Sequence, residues 1–314
     1  MSETRMLPVD RVDRRPHGRG YWADAFLRLR HSRSGMAGLI VVCTLALLGI
    51  LGPLLAPWDY RVQDLDGVMA NDARPLPPLS PGHLLGTDRL GRDLFSRTLD
   101  GAQVSMTVAL VAQVVVLFIG VPIGAIAGWR GGRTETYLMR FTDVIYAFPD
   151  LLFVILITSA IVYTPLFRLM DGLLMVFLAI GLISWVSMAR LVRAQVLSIK
   201  HREYVEAARA LGAPDRQIVL RHVLPNAIGP IIVGVSVGVP MAILAESTLS
   251  FLGLGVQTPR ASWGSLIEVG IRNAESAPWL IIPPMVALAI ALAGFTLLGD
   301  GLRDAFDPKT SRRR

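Results

Sequence analysis

Five stretches of this chain, 35–57, 104–128, 172–189, 223–245 and 276–299, each run for at least 18 residues without an Asp, Glu, Lys or Arg. A helix rises 1.5 Å per residue, so about 20 apolar residues cross the roughly 30 Å hydrocarbon core of a bilayer. A sixth apolar run, from Phe141 to Phe167, is broken only by Asp143 and Asp150. A soluble helical bundle needs a polar face on each helix, and these runs have none. The expected fold class is all-α integral membrane, with six transmembrane helices at about 35–57, 104–128, 141–162, 172–195, 223–246 and 277–299.

Charge sets the expected orientation. The chain carries 31 Lys and Arg against 24 Asp and Glu, a net charge of +7. A basic protein can serve nucleic acid, but here the distribution fits a lipid bilayer partner and no nucleic acid. Residues 1–34, 129–140, 190–222 and 300–314 hold 23 of the 31 cations, and the alternate segments hold eight. Both termini are therefore expected in the cytoplasm. The chain divides into a basic segment at 1–34, the first span at 35–57, an external segment at 58–103, a core of five spans at 104–302 and a tail at 303–314. The first 34 residues are polar and Arg-rich, unlike a secretory signal, so the first span is expected to be retained.

Inside the spans, Gly120, Gly124 and Gly128 form two overlapping small-xxx-small steps, and Gly234 with Gly238 forms another. Such steps let helix backbones approach closely. Pro122, Pro149, Pro230 and Pro240 each remove a backbone donor, so spans two, three and five are expected to bend.

Enzyme chemistry is largely excluded. The only lysines, Lys200 and Lys309, follow no phosphate-cradling glycine loop, so ATP binding by such a loop is not expected. The five histidines lack metal-ligand spacing. One cysteine, Cys43, makes neither an intrachain disulfide nor a thiolate cage. Gly234-Val235-Ser236-Val237-Gly238 matches the nucleophile-elbow pattern but lies inside an apolar run. Intramembrane carboxylates are costly and hence functional candidates, and there are three: Asp143, Asp150 and Glu246. Asp143 lies close to Arg140 and fits either an interfacial position or a translocation path. Glu246 fits either an interhelical hydrogen bond or a hydrated path.

The segment KHREYVEAARALGAPDRQIVLRHVLPN, 200–226, reads as helix, break, helix. Tyr204, Ala207, Ala208 and Leu211 share one face, and Arg202 and Glu206 stand at i, i+4. Gly212 is placed to stop the first helix, and Pro214 suits the first turn of the second. Ile218 and Val219 give that second helix an apolar face.

This segment resembles the signature of the permease subunits of binding-protein-dependent ABC importers: Glu206, Ala207 and Ala208, three residues, Gly212, nine residues, and a closing turn with Leu224 and Pro225. The family's Ile position in that turn holds His222. Further matches are LLGTDRLGRDLFSR from Leu84, DVIYAFPDLL from Asp143, AESTLSFLGLGVQTP from Ala245 and LLGDGLRDAFDP from Leu297. Together they resemble the second permease of the oligopeptide, dipeptide and nickel branch.

The resemblance implies a type I ABC importer permease fold in a bacterial inner membrane. The chain would have no cofactor of its own, ATP being bound by partner subunits. The partners implied are a second homologous permease, two ATPases and an extracytoplasmic solute-binding protein. The loop at 200–225 would seat on an ATPase through Tyr204, Glu206, Ala207, Ala208, Leu211, Gly212, Leu224 and Pro225. Asp88, Arg89, Arg92 and Asp93 would help dock the binding protein, or would form with Arg97 a salt-bridge cluster that orders the external segment. The cargo would be a short peptide or a related solute such as glutathione, a nickel chelate or an opine. The rival classes are a proton-coupled secondary transporter using Asp143, Asp150 or Glu246, and a membrane hydrolase acting through Ser236.

Overall fold

The computed structural model describes residues 21–161, 164 and 173–306. Most of the expected basic segment (1–20), most of the connection at 162–172 and the tail from 307 lie outside the described residues. Among the described residues twelve α-helices follow in order: α1 (Tyr21–His31), α2 (Arg33–Leu55), α3 (Leu65–Ala70), α4 (Leu94–Arg130), α5 (Gly132–Tyr146), α6 (Asp150–Ile161), α7 (Leu173–Lys200), α8 (Glu203–Ala210), α9 (Asp215–Ile218), α10 (Leu224–Phe251), α11 (Trp263–Arg272) and α12 (Ile282–Phe306).

Five segments among the described residues are long and apolar enough to cross a membrane: Arg33–Leu55, Leu94–Arg130, Val176–Lys200, Asp215–Phe251 and Pro278–Phe306. They correspond to five of the six expected spans. The other run is not one helix. It is divided between α5 and the 12-residue α6, with the break at Ala147–Pro149. Pro149 has no N–H to continue the ladder and disfavours a helical Phe148. By contrast, α4 continues through Pro122 and α10 through Pro230 and Pro240.

The steps at Gly120, Gly124 and Gly128 act as expected, whereas Gly234 and Gly238 meet the side chains of Met188, Leu191 and Gln113 and no facing backbone. A Cβ on Gly120 would lie 2.8 Å from the Trp185 carbonyl, and one on Gly124 2.4 Å from the Ala189 carbonyl. One on Gly128 would lie 2.9 Å from the Arg193 carbonyl. All three acceptors belong to α7, so the glycines press two backbones together where any side chain would part them. Gly35 and Gly38 on α2 meet Gly301 and the Leu298 backbone of α12 in the same way. The main core, with Val108, Ala112, Val176, Ile180, Ile243 and Phe295, lies among α4, α7, α10 and α12. Outward faces stay apolar, as at Ile50, Leu54 and Phe118, which are 71%, 82% and 79% exposed. That inversion of the soluble pattern is what hydrocarbon as solvent requires.

Candidate functional site

The loop between α7 and α10 is anchored by three side chains. Val205, Ile218 and Val223 are fully buried and pack with Val196, Ile199 and Ala227. Helix α8 ends in a Schellman motif: Ala213 N–H bonds the Ala208 carbonyl at 3.2 Å and Gly212 N–H the Arg209 carbonyl at 3.0 Å. Gly212 holds φ +78°, and a Cβ there would meet nothing within 4 Å, so backbone conformation rather than space demands glycine. After Pro214 and α9 the chain widens to a π-helical turn at Val219–Val223, where Leu224 N–H bonds the Val219 carbonyl. Pro225, lacking an N–H, cannot supply the ordinary helical partner of Arg221. The loop is tied to the end of α4 as well, with the Arg209 guanidinium 5.3 Å from the Trp129 ring centre and Lys200 Nζ donating to the Trp129 carbonyl at 2.5 Å.

With Val205 turned inward, the Tyr204 face turns outward. Leu211 is 88% exposed, Tyr204, Glu206 and Ala207 are exposed, and Ala208 is half-buried at the edge. Leu224 is half-buried and Pro225 exposed. Arg202 and Glu206 form no ion pair, in contrast to their i, i+4 spacing; Glu206 is left facing outward. The result is a short helix with a firm apolar base and a bare outer face, able to fill a groove on another protein. Sequence reasoning missed Val205 as the anchor. Its spacing to the buried residues of α7 and α9 is not visible within one short helix.

A cavity of about 790 Å³ opens among α4, α7, α10 and α12. Asp150, from the expected translocation set, lines it, as do Gln113, Ser184, Ser187, Gln195 and Arg303. Asp143 does not; it is 64% exposed and pairs with Arg190 at 2.7 Å, and Arg190 stacks on the Tyr146 ring at 4.4 Å. Gln113 and Arg303 were missed, because a lone amide in an apolar run and a terminal arginine carry no spacing signal.

Glu246 is fully buried and accepts hydrogen bonds from Ser250 at 2.7 Å, Ser105 at 3.2 Å and Ser247 at 3.4 Å. Ser105 belongs to α4 and also accepts from the backbone of Trp263 at 3.3 Å. The carboxylate thus ties α4, α10 and the start of α11 together, the interhelical of its two readings. Ser236 bonds the Ile232 and Val233 carbonyls within its own helix at 3.1 and 2.9 Å. It sits mid-helix rather than on a strand-to-helix turn, so the elbow chemistry has no scaffold here.

The segment before α4 is a network of buried charge. Asp88 and Arg92 pair at 2.7 Å, and Arg97, itself buried, approaches Asp88 at 3.6 Å. Asp93 caps α4 by accepting from Ser96 N–H at 2.8 Å and also meets His83 Nδ1 at 2.9 Å. His83 Nε2 reaches Asp64 at 3.3 Å and its ring stacks on Trp58 at 5.2 Å. Asp100 receives Arg260 at 2.5 Å and Ala261 N–H at 3.1 Å. Of the four candidate docking residues, Asp88, Arg92 and Asp93 are therefore committed internally and only Arg89 is exposed. Among the described residues no cluster of three or more His, Cys, Asp and Glu could hold a metal.

Residues 120–312 match the family model described as binding-protein-dependent transport system inner membrane component, and residues 20–78 match the N-terminal TM domain of oligopeptide transport permease C. The chain is 42% identical over 288 residues to the oligopeptide transport system permease protein OppC of Bacillus subtilis (strain 168), covering 92% of this chain and 90% of that one. It is 41% identical to OppC of Escherichia coli (strain K12), covering 93% and 92%, and 41% identical to the dipeptide permease DppC of Bacillus subtilis (strain 168), covering 93% and 87%. Among solved structures, a chain of the MetNI methionine ABC transporter in inward-facing conformations aligns with a TM-score of 0.54 at 18% identity, over 65% of this chain and 94% of that one. That likeness places the fold as the type I ABC importer permease fold.

Proposed function

The chain belongs to the binding-protein-dependent transport system inner membrane component family, and from that premise we propose that it is one of two permeases in an ATP-driven importer of short peptides. It is a transport subunit and not an enzyme; hydrolysis belongs to separate ATPase subunits. In this reading a second homologous permease completes the translocation path, two ATPases bind on the side of α8, and a solute-binding protein delivers cargo on the side of α11. Both termini face the cytoplasm, in line with the Lys and Arg count. The cargo is set at peptides because the relatives above carry oligopeptide and dipeptide names.

One observation carries the mechanism: a helix anchored by Val205 that leaves Tyr204, Glu206, Ala207 and Leu211 bare. Burying that face against an ATPase transmits motion into α7 and α10, to which the loop is joined at both ends. The Schellman turn at Gly212 fixes the angle at which the face is presented. Glu206 supplies a charge for a basic group in the groove.

The test is a pair of substitutions, Glu206→Arg and Gly212→Asp, in the complete transporter. Both are expected to abolish ATPase co-purification and ATP-dependent uptake while the permease still inserts. Full uptake by both variants would contradict the assignment. The proton-coupled alternative loses ground on family membership and on geometry, since Asp143 is engaged by Arg190 and Glu246 by serines.

A further inference from the structure

The cavity holds polar groups that the fold leaves without partners. Gln113 is only 4% exposed, yet among the described residues its amide makes no hydrogen bond, and it faces the cavity. A Cβ on Gly238 would lie 2.6 Å from Gln113 Oε1, so that glycine keeps clear the space the amide occupies. Opening onto the cavity, this amide is available to bond a ligand or water there. Asp150 and Arg303, exposed residues on the cavity wall, have no ion-pair partner among the described residues. The rest of the wall is largely apolar, with Met188, Leu191 and Met241. Methionine adapts to varied shapes without specifying one.

Along α7 the wall runs from Ile183 to Gln195, about 18 Å at the helical rise. That is about the extended length of five residues. Peptides differ in their side chains but share an α-ammonium, backbone amides and an α-carboxylate. A wall of one carboxylate, one guanidinium and one free amide on a pliable apolar ground matches those shared groups.

Resting on the peptide-import reading, we infer that this cavity is a main-chain recognition site for the cargo. Asp150 receives the peptide's α-ammonium, Arg303 its α-carboxylate, and Gln113 a polar group of its main chain. The site is sequence-independent because it reads only what every peptide carries.

The experiment uses the complete transporter in proteoliposomes with its own binding protein and a labelled tripeptide in three forms: free, N-acetylated and C-amidated. The binding protein is the same for every variant, so a change in the ratio of uptake rates between forms belongs to the permease. Asp150→Asn is expected to reduce the preference for free over N-acetylated peptide by about tenfold and to leave the preference over the amide unchanged; Arg303→Gln is expected to do the reverse. Asp150→Glu and Arg303→Lys, which keep the charges, are expected to retain both preferences. The inference is overturned if the neutral variants slow all three forms equally or change none. No ATP-dependent uptake of any form by the unsubstituted transporter would instead overturn the peptide-import reading on which it rests.

Discussion

The two ends of the bundle use charge in opposite ways. At the end with α11, His83, Asp88, Arg92, Asp93, Arg97 and Asp100 are all buried, and their contacts run to one another, to Asp64 and Arg260 and to the backbone, with the Arg97 Nε alone left without a hydrogen bond among them. At the end with α8, Glu203, Glu206, Arg216 and Arg221 are exposed, and three aliphatic side chains hold the segment in place. Buried charges are tolerated only when each finds a partner, so the first end has one arrangement and resists change. Exposed charges on a small apolar base cost little to rearrange and remain available to another protein. One end is built to keep its shape, and the other, in the proposed function, is the one to be gripped.

This contrast separates stability from transport. The largest effect on stability is expected at the first end: Asp93→Ala removes the cap of α4 and strands His83, at a cost of about 3–5 kcal/mol, read as a fall in the thermal unfolding midpoint of the detergent-solubilised complex. Asp100→Asn weakens the bond to Arg260 and is expected to cost about 1.5–3 kcal/mol in the same assay. At the second end, Val205→Ala removes buried methyl groups for about 2 kcal/mol and loosens the loop, so stability and uptake should fall together. Leu211→Asp touches only the outward face; unfolding should shift by less than about 0.5 kcal/mol while ATP-dependent uptake falls more than tenfold. The smallest effect is Arg89→Ala, with unchanged stability and a binding-protein on-rate that becomes less dependent on salt. A stability loss at Leu211 as large as that at Asp93 would erase the distinction between the ends.

Hydropathy made α2, α4, α7, α10 and α12 legible, because a bilayer demands long apolar runs and little else produces them. Gly120, Gly124 and Gly128 were legible as a packing stripe, and Gly212 as a helix stop, since glycine in each place answers a specific geometric need. The split at Pro149 was less so: proline was expected to bend the third run, as it was the second and fifth, but only there did it end the helix. The ten residues of α4 before Val104 were hidden because two of their polar side chains, Asp100 and Gln103, meet Arg260 far along the chain. Arg260 lies 160 residues away, a separation at which no local pattern exists. Glu246 did carry a readable hint in Ser250, one turn on, but Ser105 could come only from the fold.

The central claim is that this permease moves cargo only when a separate ATPase drives it through the loop ending at Pro225. Peptide accumulation should be measured in proteoliposomes holding both permeases with their binding protein, with and without the ATPase subunits, supplied with ATP or with an imposed proton gradient. The account predicts accumulation only where ATPases and ATP are both present. Accumulation driven by the proton gradient in vesicles without the ATPases would contradict it.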